Sequence, residues 1–150
     1  MRRITPILLT LCLTAVAGHT DDAPSTEGLV VVNAADVDLV EFQWTNRPIV
    51  VFADTPRDPA FVQQMQLLQN RSSELIDRDV VVITDTERSE PSDLRKKLRP
   101  RGFMLVLIGK DGGVKLRKPF PWDVREISRT IDKMPMRRQE IRDRNLNVSQ

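Results

Sequence analysis

Thiols and imidazoles are almost missing from this chain: its 150 residues include one cysteine, Cys12, and one histidine, His19. A single cysteine excludes an intrachain disulfide and a Cys-x-x-Cys redox pair, and the two residues together exclude a zinc site built from several Cys and His. His19 lies far from any strand or helix signal, so Ser-His-Asp and Cys-His catalytic arrangements are excluded as well. Tyrosine is absent and aromatics make up 5% of residues, too few to stack successive bases of a single-stranded nucleic acid. No D-x-D-x-D-G calcium loop occurs, and the glycines at 112 and 113 follow a strand pattern without opening a helix, so they read as a turn and not as a phosphate loop. No apolar run approaches the roughly 20 residues needed to span a bilayer. Internal repeats and low-complexity tracts are missing too.

The longest apolar run is N-terminal. Met1-Arg2-Arg3 gives a positive start, residues 7–17 are almost wholly apolar, and Ala15-Val16-Ala17 ends the run with small residues at alternate positions. These are the three parts of a cleavable secretory signal, predicted to be cut after Ala17. Bulky Leu11 before Cys12 argues against a lipid anchor there. Export to the periplasm or beyond follows as an expectation, with no membrane span after cleavage, and the only thiol leaves with the signal.

The 23 Lys and Arg against 21 Asp and Glu suggest a mildly basic protein, but Arg2 and Arg3 belong to the signal. What remains is balanced and polarised: residues 18–90 hold 5 bases and 14 acids, residues 91–150 hold 16 and 7. Opposite charge on the two halves can staple them together or give one basic face. No nucleic-acid partner is expected. The clustered positive stretch is Arg95, Lys96, Lys97 and Arg99, read as a basic surface patch whose simplest role is a solvated helix face.

Residues 18–37 read as a mobile leader, 38–142 as the domain and 143–150 as a tail. Within the domain, Pro48–Ala53 is an apolar, β-branched run suited to a strand buried on both faces. Asp58 before Pro59 is a helix cap followed by proline at the first helical position. Phe61, Met65, Leu68 and Leu75 then set a helix over about 59–77. Asp79–Thr84 is a second buried strand, so strand, helix and strand form a right-handed parallel unit. Pro91–Arg99 reads as a short helix capped by Ser89 and stopped by Pro100. Phe103–Ile108 is a third strand. Asp111-Gly112 suits a type I′ turn, making Val114–Lys118 antiparallel to it. Val124, Ile127, Ile131 and Met134 mark a last amphipathic helix that Pro135 kinks or ends, with a charged extension over 137–145. Trp44 and Trp122 read as lids on the core. The order β-α-β-α-β-β-α, a mixed sheet with helices on both faces, is the thioredoxin-like α/β arrangement.

In that fold the reactive dithiol follows the first buried strand, where a helix N-terminus lowers a thiol's pKa. Arg57-Asp58-Pro59-Ala60 occupies that place here, without sulfur. The carboxyl ends of the parallel strands, where ligands of open α/β sheets gather, bring together Asp54, Thr55, Arg57, Asp58, Asp85 and Arg101, a set suited to an anion or a peptide carboxylate. The bland alternative is that Asp58 caps, Asp54 pairs with Arg57 or Arg101, and nothing binds.

Two further segments carry a resemblance. Leu107-Ile108-Gly109-Lys110-Asp111-Gly112-Gly113-Val114-Lys115-Leu116-Arg117 and Ile131-Asp132-Lys133-Met134-Pro135-Met136-Arg137-Arg138, with Trp44 and Asn46-Arg47-Pro48 upstream, resemble a family of bacterial exported domains of unknown function. That family is related to the C-terminal domains, called P-DUDES, of extracellular sushi-repeat proteins. The resemblance spans about Asp38 to Arg142 and implies a thioredoxin-like or peroxiredoxin-like fold and export. It implies no activity, no catalytic residue, no cofactor and no metal. The expectation is an exported domain without redox cysteines that binds a peptide or an envelope or extracellular protein. Two other readings stay open: an enzyme using Asp54, Asp58 or Asp85 as general base with a hard metal ion, and a surface- or glycan-associating module working through Arg95 to Arg101.

Overall fold

The structure, a computed structural model, describes residues 28–148. The predicted signal segment with Cys12, and His19, lie outside these residues. The strands are β1 (Val31–Asn33), β2 (Arg47–Phe52), β3 (Val80–Asp85), β4 (Met104–Ile108) and β5 (Val114–Lys118). They form one sheet in the order β1-β3-β2-β4-β5. β1 and β2 run parallel to β3, while β4 is antiparallel to both β2 and β5. The α/β thioredoxin-like arrangement read from the element order is the one observed.

Burial of both sheet faces explains the apolar runs: every residue of β2 is buried, and so is all of β3 except half-buried Thr84. Alternate residues feed two cores. Ile49, Val51, Val82, Leu105 and Leu107 pack under Leu68 of α1 (Pro59–Asn70), Leu75 of α2 (Ser72–Ile76) and Ile127 and Ile131 of α4 (Val124–Asp132). On the other face Val50, Phe52, Ile83, Val106 and Ile108 meet Leu94 and Leu98 of α3 (Asp93–Leu98), with Leu39 and Phe42 of a short 3-10 turn, Leu39–Phe42. Gln64 of α1 is buried yet satisfied. It donates to the Trp122 carbonyl at 3.1 Å and accepts from the Trp122 N–H at 2.7 Å, fixing α1 to the segment before α4.

Several expectations change. Val31–Asn33, assigned to a mobile leader, is an edge strand in register with Val82–Thr84. The helix over 59–77 breaks at Arg71 (φ −130°), giving α1 and α2. Ser92, not Ser89, caps α3, because its hydroxyl reaches the Arg95 N–H at 3.0 Å. The β4–β5 turn is not type I′. Gly112 (φ 79°) alone within it has positive φ, and its N–H donates to the Gly109 carbonyl at 2.9 Å, which is a turn followed by one left-handed residue. The helix marked by Val124, Ile127 and Ile131 does end before Pro135, with Lys133 as its C-cap, and the charged extension follows as a separate helix. Pro135 is the first residue of that helix, α5 (Pro135–Val148), where its missing N–H costs nothing. Trp122 does pack on the core, but Trp44 is 63% exposed with φ 68° and lids nothing.

Candidate functional site

β2 and β3 are parallel, so Ala53 and Asp85 finish side by side, and the Ala53 N–H donates to the Asp85 carbonyl at 2.9 Å. β4 is antiparallel to β2 and pairs Met104 with Phe52, which brings the segment holding Arg101 to the same end of the sheet. The helix cap at Asp58 is as expected: its Oδ1 accepts from the Ala60 N–H at 2.8 Å, with Pro59 beginning α1. Thr55 Oγ1 accepts from the Arg57 N–H at 3.2 Å and shapes the strand-to-helix turn.

Asp85 is no surface ligand. It is 3% exposed and is held by Arg95, whose Nε and Nη2 donate to its Oδ1 at 2.9 and 2.7 Å, and by Ser92, whose hydroxyl donates to Oδ2 at 2.5 Å. Nη2 of Arg95 also donates to the carbonyls of Ala53 (2.7 Å) and Asp85 (2.9 Å). The guanidinium lies 5.4 Å from the Phe52 ring centroid, over its face. One side chain thus closes the ends of two strands. This corrects the basic patch: Arg95 turns inward at 8% exposure, while Lys96, Lys97 and Arg99 stay outside. Lys96 pairs with Asp93 at 2.9 Å, and Arg99 is the left-handed cap of α3 (φ 48°).

Asp54 stands at the rim of this buried pair. Its partners are Arg88, at 2.9 Å, and Arg95, whose Nη1 is 3.8 Å away, not Arg57 or Arg101. Arg57 and Arg101 are exposed, and among the described residues neither side chain has an ion-pair or hydrogen-bond partner. The exposed end of the sheet therefore carries Arg88 paired with Asp54, with Arg57 and Arg101 unpaired on the segments after β2 and before β4, and Asp85 is buried behind it against Arg95. Among the described residues no group of three or more His, Cys, Asp or Glu could hold a metal ion. Arg88 and Ser92 were missed from the sequence, and Arg95 was placed in the exposed basic patch instead of against Asp85. A carboxylate ending a strand buried on both faces needs a cation, and Ser92 with Arg95 three residues on was the available signal.

A second polar cluster occupies the opposite end of the sheet. Arg47, wholly buried, donates to the Arg78 carbonyl (2.9 Å) and to Glu140 (2.8 Å). Lys110 reaches Asp79 (2.8 Å) and Glu140 (2.9 Å), while Arg137 and Arg144 converge on Asp77 at 2.6 and 2.8 Å. Burial pushes the Glu140 carboxyl up, but hydrogen bonds from Arg47 and Lys110, and their charges, outweigh it and hold it near 2 against an ordinary 4.5. The hydrogen bond from Arg144 likewise holds Asp77 below its ordinary value. These contacts fasten α5 to the sheet.

Known proteins resemble this chain in sequence or in fold. A 133-residue match to zebrafish (Danio rerio) coiled-coil domain-containing protein 80 is 31% identical, covering 69% of this chain and 15% of that protein. The reduced 2-Cys peroxiredoxin of Plasmodium vivax superposes with a TM-score of 0.52 at 17% identity, covering 64% of this chain and 81% of that one, which is a likeness of fold. Over residues 38–140 the sequence matches a family described as Domain of unknown function (DUF4174). That stretch contains β2 to β5 and α1 to α4, and on it the chain belongs to this family.

Proposed function

We propose that this is an exported thioredoxin-fold domain that works by binding, and that its partner is a peptide or an envelope or extracellular protein presenting an acidic or carboxylate-bearing segment to the Asp54–Asp58 end of the sheet. The observation that carries the proposal is the pairing at that end. The carboxylates are engaged, Asp58 as a cap, Asp85 with Arg95 and Asp54 with Arg88, whereas the exposed arginines Arg57 and Arg101 keep their donors free among the described residues. Free guanidinium forks recognise carboxylates in bidentate fashion. The start of α1, which in a thiol enzyme of this fold would carry the reactive sulfur, has Asp58 and Pro59 instead. The N-terminal signal pattern and the resemblance to a family of exported domains support export. The same engagement of Asp54, Asp58 and Asp85 disfavours their use as a general base.

The test is crosslinking in the intact cell envelope, with Arg57→Glu and Arg101→Glu as variants. A reproducible neighbour whose yield drops in both variants is expected. A neighbour captured equally well by both variants, or no reproducible neighbour, overturns the reading.

A further inference from the structure

The segments that carry the family resemblance, Asn46–Pro48, Leu107–Arg117 and Ile131–Arg138, have no part in the site above, yet they meet at one place. A cavity of about 200 Å³ lies there, at the far end of the sheet, and each of its lining residues comes from one of these segments. We propose that this cavity binds a small organic carboxylate, with the anionic head among Arg47, Lys110 and Lys115 and the apolar body against Met134, Pro135 and Met136.

Donor capacity argues for the head group. Arg47 is fully buried, with Nη1 and Nη2 bonded to the Arg78 carbonyl and Glu140 and an Nε–H, shielded from solvent, that has no acceptor among the described residues, so it offers the head group a nearby positive charge and leaves the direct bonds to the lysines. Lys110 gives its ammonium to Asp79 and Glu140, two acceptors for three N–H donors. Lys115 holds Asp111 at 2.6 Å. The acids behind these cations, Asp79 and Glu140, do not line the cavity, so its wall carries three cations against one carboxylate, Asp111. Gly109 makes room for this arrangement. A Cβ there would stand 2.6 Å from both Asp111 Oδ1 and Lys115 Cε, so a side chain would push the lysine off the wall.

Size and texture argue for the body. The volume is below the roughly 300–1,000 Å³ of clefts that take drug-sized ligands, which limits the ligand to one ring or a short chain. Two methionines flanking a proline make an adaptable apolar wall whose sulfur favours aromatic contact.

Benzoate is the probe, and benzyl alcohol its uncharged counterpart, read on the methionine methyl signals of the full chain by NMR. Met65 and Met104 pack on the two cores away from the cavity and serve as internal references. Benzoate is expected to shift Met134 and Met136 saturably while Met65 and Met104 stay still, and benzyl alcohol to bind at least roughly tenfold more weakly, as loss of a charge-assisted hydrogen bond implies. Arg47→Met risks unfolding the chain, so the variants are Met136→Glu, which sets a negative charge at a partly exposed wall position, and Lys115→Met. Both are expected to weaken benzoate severalfold, read at Met134. Equal affinity for the two probes, no saturable shift at Met134, or benzoate affinity unchanged in both variants would overturn the proposal.

Discussion

Arg95 shows what a single buried side chain does here. Its guanidinium makes two bonds to the Asp85 carboxylate and two to strand-end carbonyls, all between 2.7 and 2.9 Å. Removing one member of a buried pair leaves an uncompensated charge, and that penalty exceeds the net worth of the pair itself. Asp85→Ala is expected to lower unfolding stability by about 3 kcal/mol, at the low end for such pairs because Asp54 stands within reach of the same guanidinium. Arg95→Met should cost a similar amount. The double variant should lose less than the two singles summed, by about 1–3 kcal/mol, and what it still loses reflects the Ala53 carbonyl left without the Arg95 donor, the Asp85 carbonyl keeping the Ala53 N–H. Urea unfolding of the four proteins measures this, and additive losses would mean that the two residues act separately. At this scale the sequence was partly readable. Asp58 before Pro59 announced its cap because capping is local chemistry, whereas Arg95 looked like its neighbours Lys96 and Lys97 because facing in or out depends on helix phase against a sheet not yet placed. Trp44 misled for the converse reason: its size suggested burial, but its left-handed backbone (φ 68°) turns it outward.

Among the elements, α5 depends least on hydrophobic packing. Its one buried residue is Arg137, and Ile141, Leu146 and Val148 are exposed. Its attachment is ionic, through Glu140 to Arg47 and Lys110 and through Arg137 and Arg144 to Asp77. Glu140 titrates near 2 when folded and near 4.5 when free. Its contribution is therefore complete above about pH 4.5 and is lost as pH falls toward 2. Allowing for solvent access, that contribution is about 1–2 kcal/mol. Glu140→Gln should lower stability at pH 7 by this amount and flatten the acid limb of the stability curve between pH 5 and 2, in urea titrations run across that range. Hydrogen exchange should quicken first in α5. An acid limb as steep in Glu140→Gln as in the natural chain would place the acid sensitivity elsewhere. The periodic helices and β-branched strands were readable because each buries a repeating pattern. The break at Arg71 and the pairing of Val31–Asn33 were not: the first interrupts an otherwise helical pattern, and the second is three residues whose partner lies about fifty positions away.

On the scale of the whole molecule, the polarised charge of the chain becomes a connection between its halves. Asp77, Asp79 and Asp85 from the acid-rich half receive Arg137, Arg144, Lys110 and Arg95 from the base-rich half, while Arg47 and Arg78 return the exchange to Glu140 and Asp132. The expectation of a staple was sound as a pattern, but the partners depended on topology: β2 and β3 run parallel, so their starts and their ends each collect charge, and α5 folds back on the starts. A molecule joined in this way should respond to ionic strength. Exposed members such as the Arg144–Asp77 pair are screened once the Debye length falls from about 10 Å at 0.1 M salt to about 3 Å at 1 M, whereas the Arg95–Asp85 pair, out of solvent, is not. Surface pairs contribute at most about 1 kcal/mol each, so raising sodium chloride from 0.05 to 1 M should lower unfolding stability by about 1–2 kcal/mol in total. Guanidinium chloride, itself a screening salt, should then report a lower extrapolated stability than urea does for the same protein. Combining Asp77→Asn with Glu140→Gln should remove most of the salt dependence and leave the coupling between Asp85 and Arg95 intact. Stability that rises with salt in the natural chain, or salt dependence that survives the double substitution, would show that the charges of the two halves are merely solvated and that the apolar cores alone hold them together.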